Sequence, residues 1–195
     1  MAPKKTSLLR RRRYFRRYKT PSSTNYFRYK VDILLNLSKI SNDIIYGWSG
    51  SATNILDIST QLSLNANFTQ FCKQYSYVRV KAISYLANPD TRNQSLSSSG
   101  YVALTVWPRG FINSFGTWEK CVDNPFFKIL NVNYNTYKYC NLLGGDNNWV
   151  STGSDKFTSA SLFVVTNYPG DVTTANAPQW LVKLSIYCIF KTPVQ

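Results

Sequence analysis

The sequence predicts an all-β protein, a single antiparallel β-sandwich preceded by a disordered basic arm. Tyr, Phe, Val, Ile and Thr outweigh Glu, Ala and Met, which is typical of strands rather than helices. Apolar and polar residues alternate with a period of two along several segments. Residues 1–30 carry eleven basic side chains and no acidic one, whereas the remaining 165 residues carry twelve basic and nine acidic ones. The chain therefore combines a charged tail with a nearly balanced body.

Strand signals follow one another along the body. The periodicity predicts strands over 26–38, 44–48, 54–58, 77–88, 101–107, 126–133, 135–142, 159–167 and 180–191, with weaker patterns over 44–48 and 54–58. Phe68, Phe71, Cys72 and Tyr75 have the spacing of one short amphipathic helix, and 118–124 is predicted to form a helical turn. The helices that would connect parallel strands are missing. About eight strands and long polar loops predict a sandwich with Greek-key connections, of which the eight-stranded jelly roll is one form.

Two segments define the predicted domain organisation. The arm covers 1–28 and the β-domain covers 29–195, and the polar turn sequence 21–25 precedes the first predicted strand. Like charges at this density repel one another and bury no apolar area, so we expect the arm to be disordered until a polyanion neutralises it.

Nucleic acid is the predicted partner of the arm. Arginines bind phosphate oxygens bidentately and displace counterions, and the interleaved rings can stack on unpaired bases, which favours a single strand. The predicted contacts are Lys4, Lys5, Arg10, Arg11, Arg12, Arg13, Tyr14, Phe15, Arg16, Arg17, Tyr18, Lys19, Arg28 and Lys30, together with Arg79 and Lys81 on one strand face of the body. A nuclear import signal or a solubilising tail is the alternative for the arm, and a solvated strand face for Arg79 and Lys81.

Catalysis has little support in the sequence. The chain has no histidine, which excludes Ser-His, Cys-His and His-metal sites, and it has no phosphate-binding glycine motif. Its carboxylates are isolated except for Glu119 and Asp123, a spacing more typical of a solvated turn than of an acid–base pair. We therefore expect no enzyme activity, no metal and no cofactor.

Neither the cysteines nor the apolar stretches of the sequence indicate a secreted or membrane-spanning protein. The four cysteines, Cys72, Cys121, Cys140 and Cys188, lie far apart without a CxxC motif, so we expect reduced and mostly buried thiols. No apolar stretch has the length of a signal peptide core or a spanning helix, so we expect no membrane insertion.

Taken in order, these features resemble the capsid proteins of small circular single-stranded DNA viruses, the circovirus-like group. The resemblance rests on the basic arm with its tyrosines and on two motifs in the body. These motifs are Phe68-x-x-Phe71-x-x-x-Tyr75-x-Tyr77-x-Arg79-x-Lys81-x-Ile83, followed by Asn88-Pro89, and the C-terminal Tyr187-x-x-Phe190-Lys191.

The resemblance implies a viral jelly roll that assembles into a sixty-subunit (T=1) icosahedral shell with the arm inside against the genome. Sixty arms of +11 offer roughly 660 positive charges, enough to offset much of a genome of about one or two thousand nucleotides. The implied partners are viral single-stranded nucleic acid, with DNA favoured, copies of the chain, nuclear import receptors and a host-cell attachment receptor. The implied locations are the virion and, during assembly, the host nucleus.

Other functions stay open at this point. Satellite RNA-virus coat proteins share the basic arm and the jelly roll. A cellular nucleic-acid-binding module shares the arm but usually carries charge throughout its body. A sugar-binding jelly roll explains the five tryptophans but not the arm.

Overall fold

The structure is a computed structural model that describes residues 26–39, 46–48, 54–90, 101–107, 118–142, 148–167 and 177–193. The arm residues before Tyr26, the predicted loop over 91–100 and most of the predicted loop over 168–178 lie outside these ranges. The described chain forms ten strands and three helices.

The larger sheet, sheet A, has six strands. Its order is β2-β1-β10-β4-β7, and β8 pairs with the first part of β4 beyond the end of β7. The strands are β1 (Phe27–Lys39), β2 (Tyr46–Trp48), β4 (Tyr75–Asp90), β7 (Thr136–Asn141), β8 (Val150–Ser151) and β10 (Gln179–Pro193).

The smaller sheet, sheet B, has the order β3-β9-β5-β6. Its strands are β3 (Ile55–Asp57), β5 (Tyr101–Trp107), β6 (Lys128–Ile129) and β9 (Ser161–Asn167). The helices are α1 (Ile58–Ser63), α2 (Ala66–Gln74) and α3 (Trp118–Val122). All pairings in both sheets are antiparallel, and the strand orders β1-β10-β4-β7 and β3-β9-β5-β6 are those of the two four-stranded sheets of a jelly roll. The predicted fold class is confirmed.

The core lies between the two sheets, and the alternation in the sequence explains how it forms. On β10, Trp180, Val182, Leu184, Ile186, Cys188 and Phe190 share one parity and are all buried in the core. Their neighbours on β1 and β4 are also apolar, so a strand slip by one residue would expose the whole set. The phenol of Tyr85 donates a hydrogen bond to the carbonyl of Leu104, 3.2 Å away, and thereby joins sheet A to sheet B.

An aromatic cluster closes one end of this core. The Phe190 ring lies 5.5–6.4 Å from the rings of Phe27, Phe68, Phe71 and Tyr75. These rings come from β1, α2 and the start of β4, so one side chain of β10 ties three other elements together. The predicted helix over 68–75 is confirmed as α2, whose N-cap Asn65 accepts a hydrogen bond from the amide of Phe68.

Two of the five tryptophans are core residues. Trp48 and Trp180 are 1% and 2% exposed, and the indole of Trp180 donates to the carbonyl of Asn131 at 2.9 Å. Trp107, Trp118 and Trp149 are only partly buried.

The structure differs from the prediction at several places. Helix α1 was not predicted, because six residues are too few to show a helical period; it begins at the N-cap Asp57, whose side chain accepts from the amide of Ser59. The predicted strand over 126–133 shrinks to the two residues of β6. Asn124 and Asn131 flank it, and their side chains accept backbone amide hydrogens two residues ahead, which favours turns over a ladder. Strand β1 covers Phe27–Lys39, one residue later at each end than the predicted strand over 26–38.

The cysteines are free thiols in the structure, as expected, and three of the four are buried. Burial raises the pKa of Cys72 to about 11 and that of Cys140 to about 12. Burial also raises the pKa of Cys121 and of Cys188. These thiols are therefore protonated and weakly reactive at neutral pH. Within the described ranges no helix is both long and apolar enough to cross a membrane.

Candidate nucleic-acid interface

One broad face of sheet A is exposed among the residues that the structure describes. Its inner face packs in the core, whereas the side chains of opposite parity on β1, β10, β4 and β7 point outward, and we call this surface the outer face. The corresponding side of sheet B is different: Ala103, Phe163 and Val165 lie there and are each less than 5% exposed, and α3 packs on β9. The outer face is thus the large sheet surface available to a partner.

Positive charge collects at one end of the outer face. The strand register places Lys191 beside Tyr77, Arg28 and Arg79 on either side of Ile189, and Lys30 beside Tyr187. We call this end the basic half; its cations are Arg28, Lys30, Arg79, Lys81 and Lys191. β1 enters the sheet here at Phe27, so the basic arm is attached at the same end as these five side chains.

A β-bulge aims one of the cations. The pairing of β10 with β4 shifts between Tyr187, which faces Ala82, and Cys188, which faces Val80, so Lys81 is the extra residue. Bulges bend a strand and redirect a side chain. Here the bulge leaves Lys81 exposed, two residues after Arg79, while Val80 and Ile83 both stay in the core.

Trp149 organises the corner of the basic half next to the arm. The guanidinium of Arg79 lies 4.9 Å and the ammonium of Lys191 4.3 Å from the centre of its ring. Tyr26 stacks on the same indole with a centroid distance of 5.8 Å and an interplanar angle of 15°. The Nε of Arg79 is buried and has no hydrogen-bond partner among the described residues. Cation–π contact thus holds two cations in place without neutralising them.

A groove of 240 Å³ lies in the middle of the basic half. Three cations line it, Arg28, Lys30 and Lys81, together with the rings of Tyr139 and Tyr187. The two rings meet edge to face, 5.6 Å apart at 64°, and the phenol of Tyr187 lies 3.4 Å from the hydroxyl of Ser84. Within the described chain neither Arg28 nor Lys81 forms an ion pair.

Among the described residues Asp32 is the single carboxylate beside this groove, and it forms an ion pair with Lys30. Its Oδ2 lies 2.9 Å from the ammonium of Lys30 and 3.2 Å from that of Lys183, and the hydroxyl of Ser185 donates to Oδ1 at 2.5 Å. Partial burial by itself raises the pKa of Asp32. The hydrogen bonds from Ser185, Lys30 and Lys183 lower it by more, so the net pKa is below the ordinary value.

Because the pKa of Asp32 is lowered in the folded protein, ionised Asp32 stabilises the fold, and this stabilisation depends on pH. Above the unfolded value of about 4, Asp32 is ionised and its stabilising contribution is complete. That contribution is lost as the pH falls through the lower, folded pKa. At neutral pH Asp32 therefore competes with any phosphate for Lys30 and Lys183.

Asp32→Asn is expected to strengthen nucleic-acid binding. The substitution keeps the hydrogen-bonding shape, removes one negative charge and frees two lysines. Fluorescence anisotropy with a labelled single strand should show an affinity several-fold higher and a log K against log salt slope steeper by about 1. Asp123→Asn, which removes the same charge from an exposed position just after α3, is the matched control. An equal gain in both variants would mean that net charge rather than Lys30 is responsible.

The other end of the outer face is neutral and partly apolar. Leu34, Leu181 and Tyr137 are 67%, 41% and 56% exposed. Lys183 lies among them, and its ammonium is paired with the carboxylate of Asp32. The outer face is therefore polarised along its strands.

The structure brings four of the predicted contact residues together and does not describe the rest. Arg28, Lys30, Arg79 and Lys81 all lie in the basic half, whereas the predicted contacts from Lys4 to Lys19 lie outside the described residues. Sequence reasoning missed Lys183, Lys191, Trp149 and the two groove tyrosines. The alternation of β10 already put Tyr187, Lys183 and Lys191 on one strand face, but the strands beside it were not readable from the sequence.

Comparison with known proteins gives a likeness in structure alone. No protein-family model matches the chain, and no curated protein matches it. The capsid protein in semi-empty virus-like particles of the giant freshwater prawn Macrobrachium rosenbergii nodavirus is similar over 100% of this chain and 94% of its own, with a TM-score of 0.59 and 12% identity. A tobacco necrosis virus structure is similar over 88% of this chain and 98% of its own, with a TM-score of 0.60 and 14% identity.

A third similar structure is a T=1 subviral particle. It was formed by a Penaeus vannamei nodavirus capsid protein lacking residues 1–37 and 251–368. The similarity extends over 85% of this chain and 98% of that chain, with a TM-score of 0.57 and 15% identity. These likenesses confirm the viral jelly-roll fold. They do not support the circovirus-like group that the sequence resemblance suggested.

Proposed function

We propose that the chain is a viral capsid protein that assembles into a small icosahedral shell and packages a single-stranded genome. The observation that carries the proposal is the outer face: a jelly roll of the capsid type presents five cations and a tyrosine-lined groove at the end where its basic arm is attached. Arm and basic half then form one polyanion-binding surface directed at the lumen. The role is structural, with no catalytic step.

The proposed shell has sixty subunits. A neighbour with this fold forms a T=1 subviral particle without its residues 1–37 and 251–368, which supports a jelly-roll body that is sufficient for closure. In this chain the body would supply the subunit contacts and the arm would neutralise the packaged phosphates. Charge neutralisation by the arm also makes packaging strongly dependent on salt.

We propose DNA as the packaged strand, on the sequence resemblance. The nodavirus and tobacco necrosis virus neighbours favour an RNA-virus coat protein as the second candidate. Both candidates share the binding chemistry, because phosphates and unpaired bases occur in either polymer.

Purification of the full chain tests the proposal. Size exclusion and negative-stain electron microscopy should show uniform spherical particles, and the nucleic acid that copurifies should be degraded by a nuclease specific for single strands. DNase and RNase digestion then decide between DNA and RNA. A monomer that binds nucleic acid but never assembles would point to a cellular binding module instead.

The arm is also proposed to act as a nuclear import signal, because its clustered lysines and arginines are the residue types that import receptors bind. Residues 1–30 fused to a fluorescent reporter should accumulate in the nucleus. The same fusion with its eleven basic residues changed to glutamine is the control. A cytoplasmic wild-type fusion would contradict this part of the proposal.

A further inference from the structure

We propose that the groove on the basic half is a binding site for one unpaired nucleotide of a longer strand, with the base against Tyr187 and Tyr139 and the phosphates on Arg28, Lys30 and Lys81. The inference rests on the proposed function for its polymer. It adds a defined, base-contacting site in the folded body to the charge neutralisation expected of the arm.

The shape of the groove suits a passing strand. Its 240 Å³ is below the roughly 300–1,000 Å³ of pockets that enclose small ligands, and it lies open on the sheet surface. An open groove can hold one residue of a polymer that enters and leaves along the outer face, whereas a free nucleotide would be only partly covered.

The charges around the groove suit a phosphodiester. Arg28 and Lys81 have no ion pair within the described chain, and Lys30 shares the carboxylate of Asp32, so positive charge exceeds negative charge here. Arg28 and Lys30 lie on β1 and Lys81 lies at the bulge of β4, so the three cations flank Tyr187 of β10. Phosphates on both sides of one base can therefore each meet a cation.

The rings supply the second half of the recognition. Tyr139 and Tyr187 meet edge to face, so they do not stack on one another and ring surface is left for a base. Tyr139 is 41% exposed, so part of its ring surface is accessible to a base. Stacking tolerates any base but requires it to be unpaired, so the site selects single strands rather than a sequence.

Photocrosslinking tests the site in the full chain. Oligonucleotides of thymidine and of uridine, each carrying 5-bromo bases, are irradiated with the protein, and the crosslinked peptides are identified by mass spectrometry. Crosslinks at Tyr187 or Tyr139 are expected with either strand and not with a duplex of the same base. Crosslinks confined to the arm, or equal crosslinking of the duplex, would overturn the proposal.

Variants measure the contribution of the rings. At a salt concentration high enough to suppress the arm's ionic contacts, the double variant Tyr139→Leu/Tyr187→Leu should bind single strands at least about fivefold more weakly, the lower end for loss of one base–aromatic stack. Tyr187→Phe keeps the ring and should retain affinity. Tyr137→Leu, on the same strand and face but outside the groove, is the matched control.

The readouts separate this site from the proposed function. Particle formation by wild type is scored in the same preparations. Shells that form while the double variant binds like Tyr137→Leu would overturn the nucleotide site and leave the capsid function standing. Crosslinks at Tyr187 in a protein that never forms shells would support the nucleotide site and contradict the capsid function.

Discussion

Deleting residues 2–25 is expected to leave shells that contain almost no nucleic acid. The deletion removes nine lysines and arginines and no carboxylate, while β1 and the whole outer face are kept. Neutralising six to ten phosphates makes affinity fall by about 10³–10⁵ between 50 and 200 mM salt, and each contact on a single strand adds about 0.7 to the slope. The slope of the truncated protein should therefore be shallower by up to about 6.

The measurement combines the absorbance ratio of purified particles at 260 and 280 nm with binding titrations over a series of salt concentrations. Two full-length variants separate the contribution of the arm's charge to binding from the contribution of its aromatic rings. Changing the nine basic residues to glutamine should reproduce the deletion, whereas changing Tyr14, Phe15 and Tyr18 to serine should keep the slope and lower the affinity. Particles of the truncated protein that are as full of nucleic acid as wild type would refute the assigned role of the arm.

Phe190→Ala is expected to be the most destabilising single substitution in the aromatic cluster. Phe190 is 0% exposed and packs against rings from β1, α2 and β4, so truncation leaves a cavity that three elements surround. Phe→Ala in a core costs about 3–5 kcal/mol, out of a typical total of about 5–15 kcal/mol. For a domain of this size the melting temperature should fall by about 6–20 °C.

Thermal unfolding followed by circular dichroism measures this loss. Leu181→Ala, on the same strand but 41% exposed on the outer face, is the control and should change the unfolding free energy by about 0.5 kcal/mol or less. Because Phe27 belongs to the cluster, Phe190→Ala should also loosen the start of β1 and lower the yield of shells. Equal melting temperatures for the two variants would show that the cluster does not hold these elements together.

The fold was predictable where strands are long and half-buried. β1 and β10 could be predicted because every second residue enters the core, and α2 could be predicted because Phe68, Phe71 and Cys72 have the spacing of one side of a helix. Elements held by tertiary contacts alone were not predictable. β8 has only two residues, and it is a strand because it pairs with Tyr77 and Val78 of β4. The sequence resemblance led to the correct fold, although the structural neighbours do not support the particular viral group.

The candidate site was predictable only in part, for a similar reason. Arg79 and Lys81 are close in sequence, and their strand face could be seen from periodicity. The groove needs Lys30 of β1, Tyr187 of β10 and Tyr139 of β7 side by side, and that neighbourhood is set by the order of strands in sheet A. Trp149 lies in a segment with no periodic pattern, so its contact with Arg79 and Lys191 appears only in three dimensions.

A cryo-electron microscopy reconstruction of particles from the full chain tests the central claim most directly. We expect a closed icosahedral shell in which the outer face of sheet A, with Arg28, Lys81 and Tyr187, points into the lumen and touches density from packaged nucleic acid. A shell with this face on the exterior, or a preparation containing only unassembled subunits, would contradict the account.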